Sequence, residues 1–572
     1  MVAGSGIRGH LLVTLSVFFL TVLLLAVEIG AFQEASQRYY GGKQLQEQIS
    51  NRGDLVVSMR KVAVIGAGAG GSSTAYYLQK FAANKSFDVS ITVYEKNSYV
   101  GGRSTTVNVY NNPDEVVELG ASIFVEVNEN LYNATKEFGL ECSDNYISRR
   151  VSKDALGVYD GQSFIFRQPY DTTWWNNLAI LWKYGLTPIR TQQLMKQTIR
   201  KFLQLYRAPL FPFRSLTEAA EKADLLQATA HTGEQFLNSN GVGGKYATDL
   251  VQASTRVNYA QNLGIIHGLE TMVCMATDNA MSVKGGNWKI FSGMLAASNA
   301  KVRLNTAVTE LHKSPSDGRW IVYSTQGASH QGHEDSEGTP TFQSEVFDVV
   351  VLASPFQFSD IEIHPEPEKT PDIIPYVQLH VTLFTSPLRL SPDYFHLPAD
   401  QEVPDMVLTT LNATEQQNEK ITRGGGVHGV GSSGFFSVSL LRSIKREVSG
   451  VHKIEYLYKI FSPAEMTHSH IKEFLGVKKG NVEDVDDAVV TWSHKKVWHS
   501  YPYLYPRVTF EEIILDKEQT LFYTSGIESF ISTMETSSLM GINVAQLVVD
   551  SWESKEKASK KAQDEMWAKA KL

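Results

Sequence analysis

Cysteine is almost absent: Cys142 and Cys274 are the only two in 572 residues. That excludes a disulfide-built scaffold and any C-x-x-C metal site, and it leaves open either one disulfide or two free thiols. Surplus positive charge is missing too. With 53 Lys and Arg against 61 Asp and Glu the net charge is −8, and a nucleic-acid partner needs a concentrated basic surface. No Ser-His-Asp or Cys-His constellation stands out, so nothing points to a side-chain nucleophile. What remains is ordinary globular composition, 42% apolar and 20% charged. The length exceeds that at which one hydrophobic core stops growing, so two or more lobes are expected.

One long apolar run exists, LLVTLSVFFLTVLLLAV at residues 11–27, preceded by Arg8 and His10. It is long for a signal h-region and slightly short for a relaxed membrane span. Residues 1–31 therefore read as a secretory signal or a signal anchor, with Ala31 placed to follow a cleavage step, and the polar residues 32–58 as a linker. Either form puts the remainder in the endomembrane lumen or outside the cell, and an uncut segment would give membrane association. Three N-x-S/T sequons, at Asn84, Asn133 and Asn412, are glycosylation candidates.

The pattern G-x-G-x-x-G occurs at Gly4, at Gly66 and at Gly429, among other places in the chain. Its physics needs a strand before it and a helix after it, so that backbone N–H groups and the helix dipole face a pyrophosphate. GSGIRG has only three residues before it, and GVGSSG is followed by FFSVSLL, which alternates like a strand. Gly66, Gly68 and Gly71 alone have a strand-type run, residues 60–65, in front and a helical stretch, 72–81, behind. A second strand at residues 90–94 ends on Glu95, 24 residues beyond Gly71. A carboxylate there accepts hydrogen bonds from ribose hydroxyls and repels a 2′-phosphate, which disfavours NADP.

The middle of the chain reads as helical. Thr187 is expected as an N-cap with Pro188 at N1, and Leu194, Met195, Ile199, Phe202, Leu203 and Tyr206 recur at helical spacing. Strand patterns return from residue 301, around a polar loop at 327–340. His330, His333, Glu334 and Asp335 in that loop, and His468 and His470 later, read as solvated residues rather than metal ligands. The charged tail, 551–572, reads as a solvated helical appendage.

Past Glu95 come KNSYVGGRST, with Gly102 and Arg103, and VVELGASIF, with Gly120 and Ala121. VRLNTAVTEL (302–311), FDVVVLASP (347–355) and LFYTSGIESFISTMETSSLMGINVAQ (521–546) follow. With the glycine turn, these resemble the flavin amine oxidase-like superfamily. RVNYAQNLGIIHGL (256–269), SVKGGNWKIFSGML (282–295) and VWHSYPYLYP (497–506) resemble, more narrowly, the prenylcysteine oxidase (prenylcysteine lyase) family.

The resemblance implies an α/β fold. A Rossmann-type FAD-binding domain of the glutathione reductase/amine oxidase kind is interleaved with an α+β substrate domain. The expected FAD-binding parts are residues 59–130, 285–356 and 491–550, with substrate-domain parts at 131–284 and 357–490. It implies Arg103 on the FAD phosphates, the turn ending in Gly120 and Ala121 near the flavin, and the backbone near Val308 against the adenine. Glu528, where that motif usually carries Asp, would reach the ribityl chain, and Glu535-Thr536 would open a helix. No cysteine lies in the 497–506 stretch, so non-covalent FAD is expected.

The implied reaction is oxidative cleavage of S-farnesyl- or S-geranylgeranyl-cysteine with water and molecular oxygen, during degradation of prenylated proteins. It yields cysteine, an isoprenoid aldehyde and hydrogen peroxide, by hydride transfer from the allylic C1 to flavin N5. A lysosome or vacuole is the expected compartment. Other FAD oxidases of amines or isoprenoids, and a non-catalytic prenyl carrier on the same fold, are the alternatives. Tyr501 and Tyr505 are expected beside the flavin. Arg256 is the candidate for the substrate carboxylate, with Asn258, Tyr259 and Gln261 in the same segment. Trp174, Trp175, Trp182, Phe211 and Phe213 could wall a prenyl tunnel, although as core residues they need none. For a lipidic substrate the 187–206 helix, with Arg190, Lys196, Arg200 and Lys201 on its polar face, is either a membrane-surface helix or an ordinary surface helix.

Overall fold

The computed structural model describes residues 59–144, 151–171, 174–327, 341–448, 450–477 and 489–570. The N-terminal apolar run, the linker and the histidine-bearing loop lie outside the described residues.

A parallel five-stranded sheet forms the centre of the nucleotide-binding half. Its strands are β1 (Arg60–Ile65), β2 (Val89–Tyr94), β5 (Lys301–Arg303), β9 (Val349–Leu352) and β16 (Leu521–Tyr523), in the order β16-β9-β1-β2-β5. Both faces of β1 are covered, which is why it reads as a nearly continuous apolar run. Val62 and Val64 enter a core shared with helices, whereas Ala63 and Ile65 pack toward a mixed, mostly antiparallel layer. That layer is β6 (Thr306–Lys313), β7 (Trp320–Gln326), β8 (Thr341–Phe347) and β10 (Glu362–His364). The helical layer contains α1 (Ala69–Asn84), α2 (Glu129–Glu137), α7 (Trp288–Ala297) and α8 (Met534–Ala570).

The second half is a seven-stranded sheet in the order β15-β11-β14-β13-β12-β3-β4. Its members are β3 (Asp154–Tyr159), β4 (Phe164–Pro169), β11 (Tyr376–Ser386), β12 (Met406–Thr409), β13 (Ser437–Val448), β14 (Val451–Ser462) and β15 (Trp492–Pro502). Helices α3 (Trp174–Tyr184), α4 (Thr187–Phe202), α5 (Gln252–Tyr259) and α6 (Gly268–Cys274) complete it.

Some expected boundaries shift. β15 pairs with β11 in the seven-stranded sheet, so residues 491–502 belong with the second half rather than with the third nucleotide-binding part. A boundary after residue 130 would cut α2, which packs its buried Leu131 and Ala134 with α7 residues. Leu186, not Thr187, occupies the N-cap of α4, and Pro188 lies in its first turn. The C-terminal tail is the end of α8. Ser551 and Trp552 are buried, Trp552 lying edge-on to Phe87 at 5.6 Å, while Glu553 and Glu556 pair with Lys85 and Arg60. The solvated part begins after that docking. No helix among the described residues is long and apolar enough to cross a membrane.

Helix α8 approaches α1 closely because both are small-residue surfaces at the crossing. A Cβ on Gly541 would stand 2.3 Å from the Gly70 carbonyl, and Ser73 and Ser538 hydroxyls meet at 2.8 Å. A Gly541→Ala substitution therefore forces the two backbones apart. The expected cost is about 1–3 kcal/mol, read as a lower thermal unfolding midpoint; an unchanged midpoint would show that the crossing is looser than described.

Candidate functional site

The turn between β1 and α1 is shaped by backbone contact. Gly66 has φ +112°, and a Cβ on Gly71 would lie 1.9 Å from the Gly66 carbonyl oxygen. These two glycines close the turn, whereas a Cβ on Gly68 would meet, among the described residues beyond its chain neighbours, only the Cα of Gly102, at 3.9 Å. Gly68 is the N-cap of a 16-residue helix and offers no side-chain cap. The first N–H groups of α1 and its positive dipole end thus face a cavity that Gly68, Ala69 and Gly70 line. Glu95, buried at the end of β2, accepts from Ala67 N at 2.9 Å, Asn97 N at 2.8 Å and Asn97 Nδ2 at 2.6 Å, and it also lines the cavity. An uncapped helix end beside a fixed carboxylate fits a dinucleotide.

Segments far apart in sequence close around that turn. The Arg103 guanidinium donates to both carboxylate oxygens of Glu528, at 2.8 and 2.5 Å, and to the Ser500 carbonyl at 2.7 Å. Tyr376 donates its hydroxyl hydrogen to the same carboxylate at 3.1 Å. Burial alone would lower the Arg103 pKa, but Glu528 holds it well above its ordinary value. Gly102, Gly120, Ala121, Val308, Glu528, Glu535 and Thr536 all line the same cavity. Glu535 reaches across to α2, accepting from Asn130 N and Leu131 N at 2.9 and 3.0 Å and from Tyr206 Oη at 2.9 Å. The Thr536 hydroxyl donates to the Ile531 carbonyl at 2.7 Å. Their side chains therefore order the start of α8.

Several expectations for the substrate side are corrected. Arg256 is fully buried outside the cavity lining, with its guanidinium on Thr409 Oγ1, Asn262 Oδ1 and the Gly429 and Val430 carbonyls at 2.7–3.1 Å. It ties α5 to the GVGSSG turn and has no free donor for a substrate carboxylate. Burial pushes its pKa down to about 9. Gln261 is also off the cavity, bridging to Pro502 O and Leu504 N at 3.0 and 2.9 Å, so it positions the 501–505 segment. Tyr505 is half exposed and stacks on Tyr503. The aromatic pair in the cavity is instead Tyr259 with Tyr501, ring centroids 4.9 Å apart and edge to face. Asn258 lines the cavity too, its amide held by the Ser254 carbonyl at 2.9 Å.

Two charged residues absent from the expected site stand at the junction of the halves. Lys459, on β14, is buried in the cavity wall with Nζ on the Glu118 carbonyl at 2.9 Å and Ser122 Oγ at 3.0 Å. Glu118 accepts from Asn287 N at 2.6 Å through one carboxylate oxygen, and its Oε2 is buried without a partner. Burial pushes Glu118 up to about 7 and Lys459 down to about 8. The sequence signal was a lone lysine in the otherwise apolar run YLYKIF, since lysine is rarely buried without a role.

The cavity measures about 2030 Å³, above the roughly 300–1,000 Å³ typical for one small ligand, so a dinucleotide leaves room for another molecule. Its apolar arm is walled by Ile180, Ile199, Phe202, Leu250, Val257 and Leu408. Three of the expected tunnel residues are elsewhere. Trp182 is 91% exposed, Phe213 belongs to the main core, Phe211 is half-buried outside the lining, and the side chains of Trp174 and Trp175 lie outside the described residues. Both cysteines are free thiols, Cys142 exposed and Cys274 buried. Asn84 and Asn133 are exposed, but Asn412 is buried, capping a short helix through Thr414 N and Glu415 N. No metal-holding cluster occurs among the described residues; His470 is engaged in the capping box of a helix with Thr467.

A family description, prenylcysteine lyase, matches residues 168–561, more than half of the chain. The chain belongs to the prenylcysteine lyase family. A second description, NAD(P)-binding Rossmann-like domain, matches residues 64–138, around the glycine turn. The chain is 26% identical to farnesylcysteine lyase of Arabidopsis thaliana over 87% of its own length and 90% of that protein. It is 27% identical to prenylcysteine oxidase 1 of Rattus norvegicus, with the same two coverages. Among solved structures, cyclohexylamine oxidase from Brevibacterium oxydans shares the fold at TM-score 0.51 and 14% identity, covering 86% of this chain and all of that one. The fatty acid isomerase of P. acnes shares it at TM-score 0.51 and 13% identity, covering 86% of this chain and 99% of that one.

Under the aromatic pair of this prenylcysteine lyase family chain lies Glu270. It is fully buried, its Oε2 accepts from Ser532 N at 3.2 Å, and its Oε1 has no partner. Burial pushes its pKa up to about 8. The folded state therefore holds this proton more tightly than the unfolded chain. The resulting stability is full below the ordinary carboxyl pKa and is lost as pH rises through about 8. Between about pH 5 and 9, Glu270→Gln is expected to lose fewer degrees of melting temperature than the parent. Identical slopes would show that Glu270 ionises without cost.

Proposed function

We propose that this chain is an FAD-dependent oxidase that cleaves S-prenyl-cysteine to cysteine, an isoprenoid aldehyde and hydrogen peroxide, with molecular oxygen as acceptor. One observation carries the reading. The glycine turn, a set of apolar side chains and two opposite, incompletely paired charges, Glu118 and Lys459, line one and the same cavity. When bound, FAD supplies the hydride acceptor for the carbon next to sulfur.

The chain's own residues do the rest. Gly66, Gly68, Gly71 and the α1 N–H groups receive the pyrophosphate, Glu95 the adenosine ribose, and the Arg103–Glu528 pair borders the path between them. The prenyl chain lies in the apolar arm, where burying each CH₂ is worth about 0.8 kcal/mol. Its cysteine end then falls at Glu118 and Lys459, which suit the α-ammonium and α-carboxylate of a zwitterion. Each charge is disfavoured by burial alone, and a ligand carrying both signs relieves both. Tyr259 and Tyr501 stay protonated because burial holds both phenols far above neutral pH. They serve as walls that keep the site dry rather than as bases, in keeping with a hydride step that removes no proton from carbon. Residues 11–27 and the exposed Asn84 and Asn133 support synthesis into the endomembrane lumen, with lysosome or vacuole as the destination.

The test is turnover of farnesylcysteine, followed as peroxide and free cysteine, by the parent and by Lys459→Met. The variant is expected to raise KM ten- to a hundredfold, about 1.5–3 kcal/mol for a hydrogen bond to a charged group. With farnesylcysteine methyl ester, which has no carboxylate, parent and variant should become alike. Equal effects on acid and ester would remove Lys459 from the substrate head. No peroxide with farnesylcysteine, but peroxide with an amine, would replace the substrate class.

A further inference from the structure

Helices α3 and α4 form a hairpin with two unlike faces. Inward, Ile180, Pro188, Ile199 and Phe202 line the apolar arm of the cavity. Outward, Leu178, Leu181, Trp182, Leu186 and Ile189 are exposed, the indole of Trp182 by 91%. Single exposed apolar residues need no explanation, but five large ones within twelve consecutive residues form a patch, and a patch marks a contact surface.

The charge around the patch is segregated as well. Between residues 172 and 217 there are seven Lys and Arg and no Asp or Glu, in a chain of net charge −8. Lys183, Lys201 and Arg207 pair with acids from other elements. Arg190, Lys196 and Arg200 stay exposed on α4 without an ion pair among the described residues. An apolar tip flanked by unneutralised cations complements an anionic lipid surface, where apolar side chains enter the headgroup–acyl boundary and cations meet phosphate and carboxylate groups.

We propose that the outer face of the α3–α4 hairpin rests on an anionic membrane, and that a lipidic substrate passes from the bilayer between these helices into the apolar arm. The contact follows from the surface itself; the delivery role rests on the prenylcysteine reading. The same two helices that touch the bilayer wall the pocket, so a prenyl chain need not cross water on its way in.

The experiment uses the full chain carrying Cys142→Ser and Trp182→Cys, labelled at position 182 with a polarity-sensitive fluorophore. Mixing with phosphatidylcholine–phosphatidylserine vesicles is expected to shift its emission to the blue. The shift should fall several-fold with phosphatidylcholine alone or when Arg190, Lys196 and Arg200 are each changed to Glu. It should be absent for a label placed by Ser316→Cys, on an exposed hairpin. Because the label reports locally, attachment through the N-terminal apolar run leaves it unmoved. Vesicle-bound protein with an unshifted label at 182 would overturn the proposal, as would a shift that grows with protein concentration without vesicles, which would assign the patch to a second copy. A second arm compares Leu186→Asp/Ile189→Asp with the parent. KM should rise several-fold for vesicle-borne farnesylcysteine and stay unchanged for a water-soluble five-carbon S-prenyl cysteine; a rise for both would overturn the delivery role. A blue shift at 182 in a parent that turns over neither substrate would support the membrane contact and sink the substrate reading instead.

Discussion

The ion pair between the half-buried Arg103 and the buried Glu528 holds the architecture of the site together. Its partners are 425 residues apart, and the same cluster takes in Ser500 from β15 and Tyr376 from β11. Four chain segments from both halves are thereby fixed at one point beside the glycine turn. Taking the Glu528 carboxylate out of water is expensive, and the two-pronged contact with Arg103 together with the Tyr376 hydroxyl offsets it. Removing Arg103 would leave the buried Glu528 carboxylate without its counter-charge.

The same physics separates structural from available cations elsewhere. Arg256 is as deeply buried as any residue in the chain, yet its guanidinium is surrounded by carbonyl, hydroxyl and amide oxygens. Lys459 has two acceptors for three N–H donors, and the nearby Glu118 keeps one carboxylate oxygen without a partner. A residue with unmet hydrogen-bonding capacity at a cavity wall is where a ligand gains most. This is why the substrate head is assigned to the lysine and not to the arginine.

What local sequence could reveal was revealed by strong local rules. The β1–turn–α1 unit, Glu95 at the end of β2 and the return strand β9 all follow from periodicity and from glycine contacts between neighbouring residues. The decoy glycine pattern at Gly429 is a turn before β13, as alternation in FFSVSLL implied. Orientation was another matter. Nothing in RVNYAQ says that Arg256 turns away from the cavity while Tyr259 faces it, because α5 is covered on several sides by elements distant in sequence. The aromatic partner of Tyr501 comes from that helix and not from the adjacent Tyr505, since the segment is held by Gln261 so that Tyr505 points outward. Lys459 was hidden for the same reason: its surroundings are Glu118 and Ser122, more than three hundred positions away. The dense tryptophan cluster near residue 180 suggested a tunnel wall by composition, but Trp182 projects outward, and the described wall is made of Phe202 and aliphatic side chains such as Ile180, Ile199 and Leu250.

The central claim is that one cavity holds a flavin dinucleotide and a prenylcysteine together, close enough to react. The most direct measurement is the visible spectrum of the purified full chain under anaerobic conditions, before and after adding farnesylcysteine. The account predicts a yellow protein whose flavin bands bleach on addition and return when oxygen is admitted. A colourless protein that also refuses added FAD, or a yellow one whose bands do not move with farnesylcysteine, would contradict it.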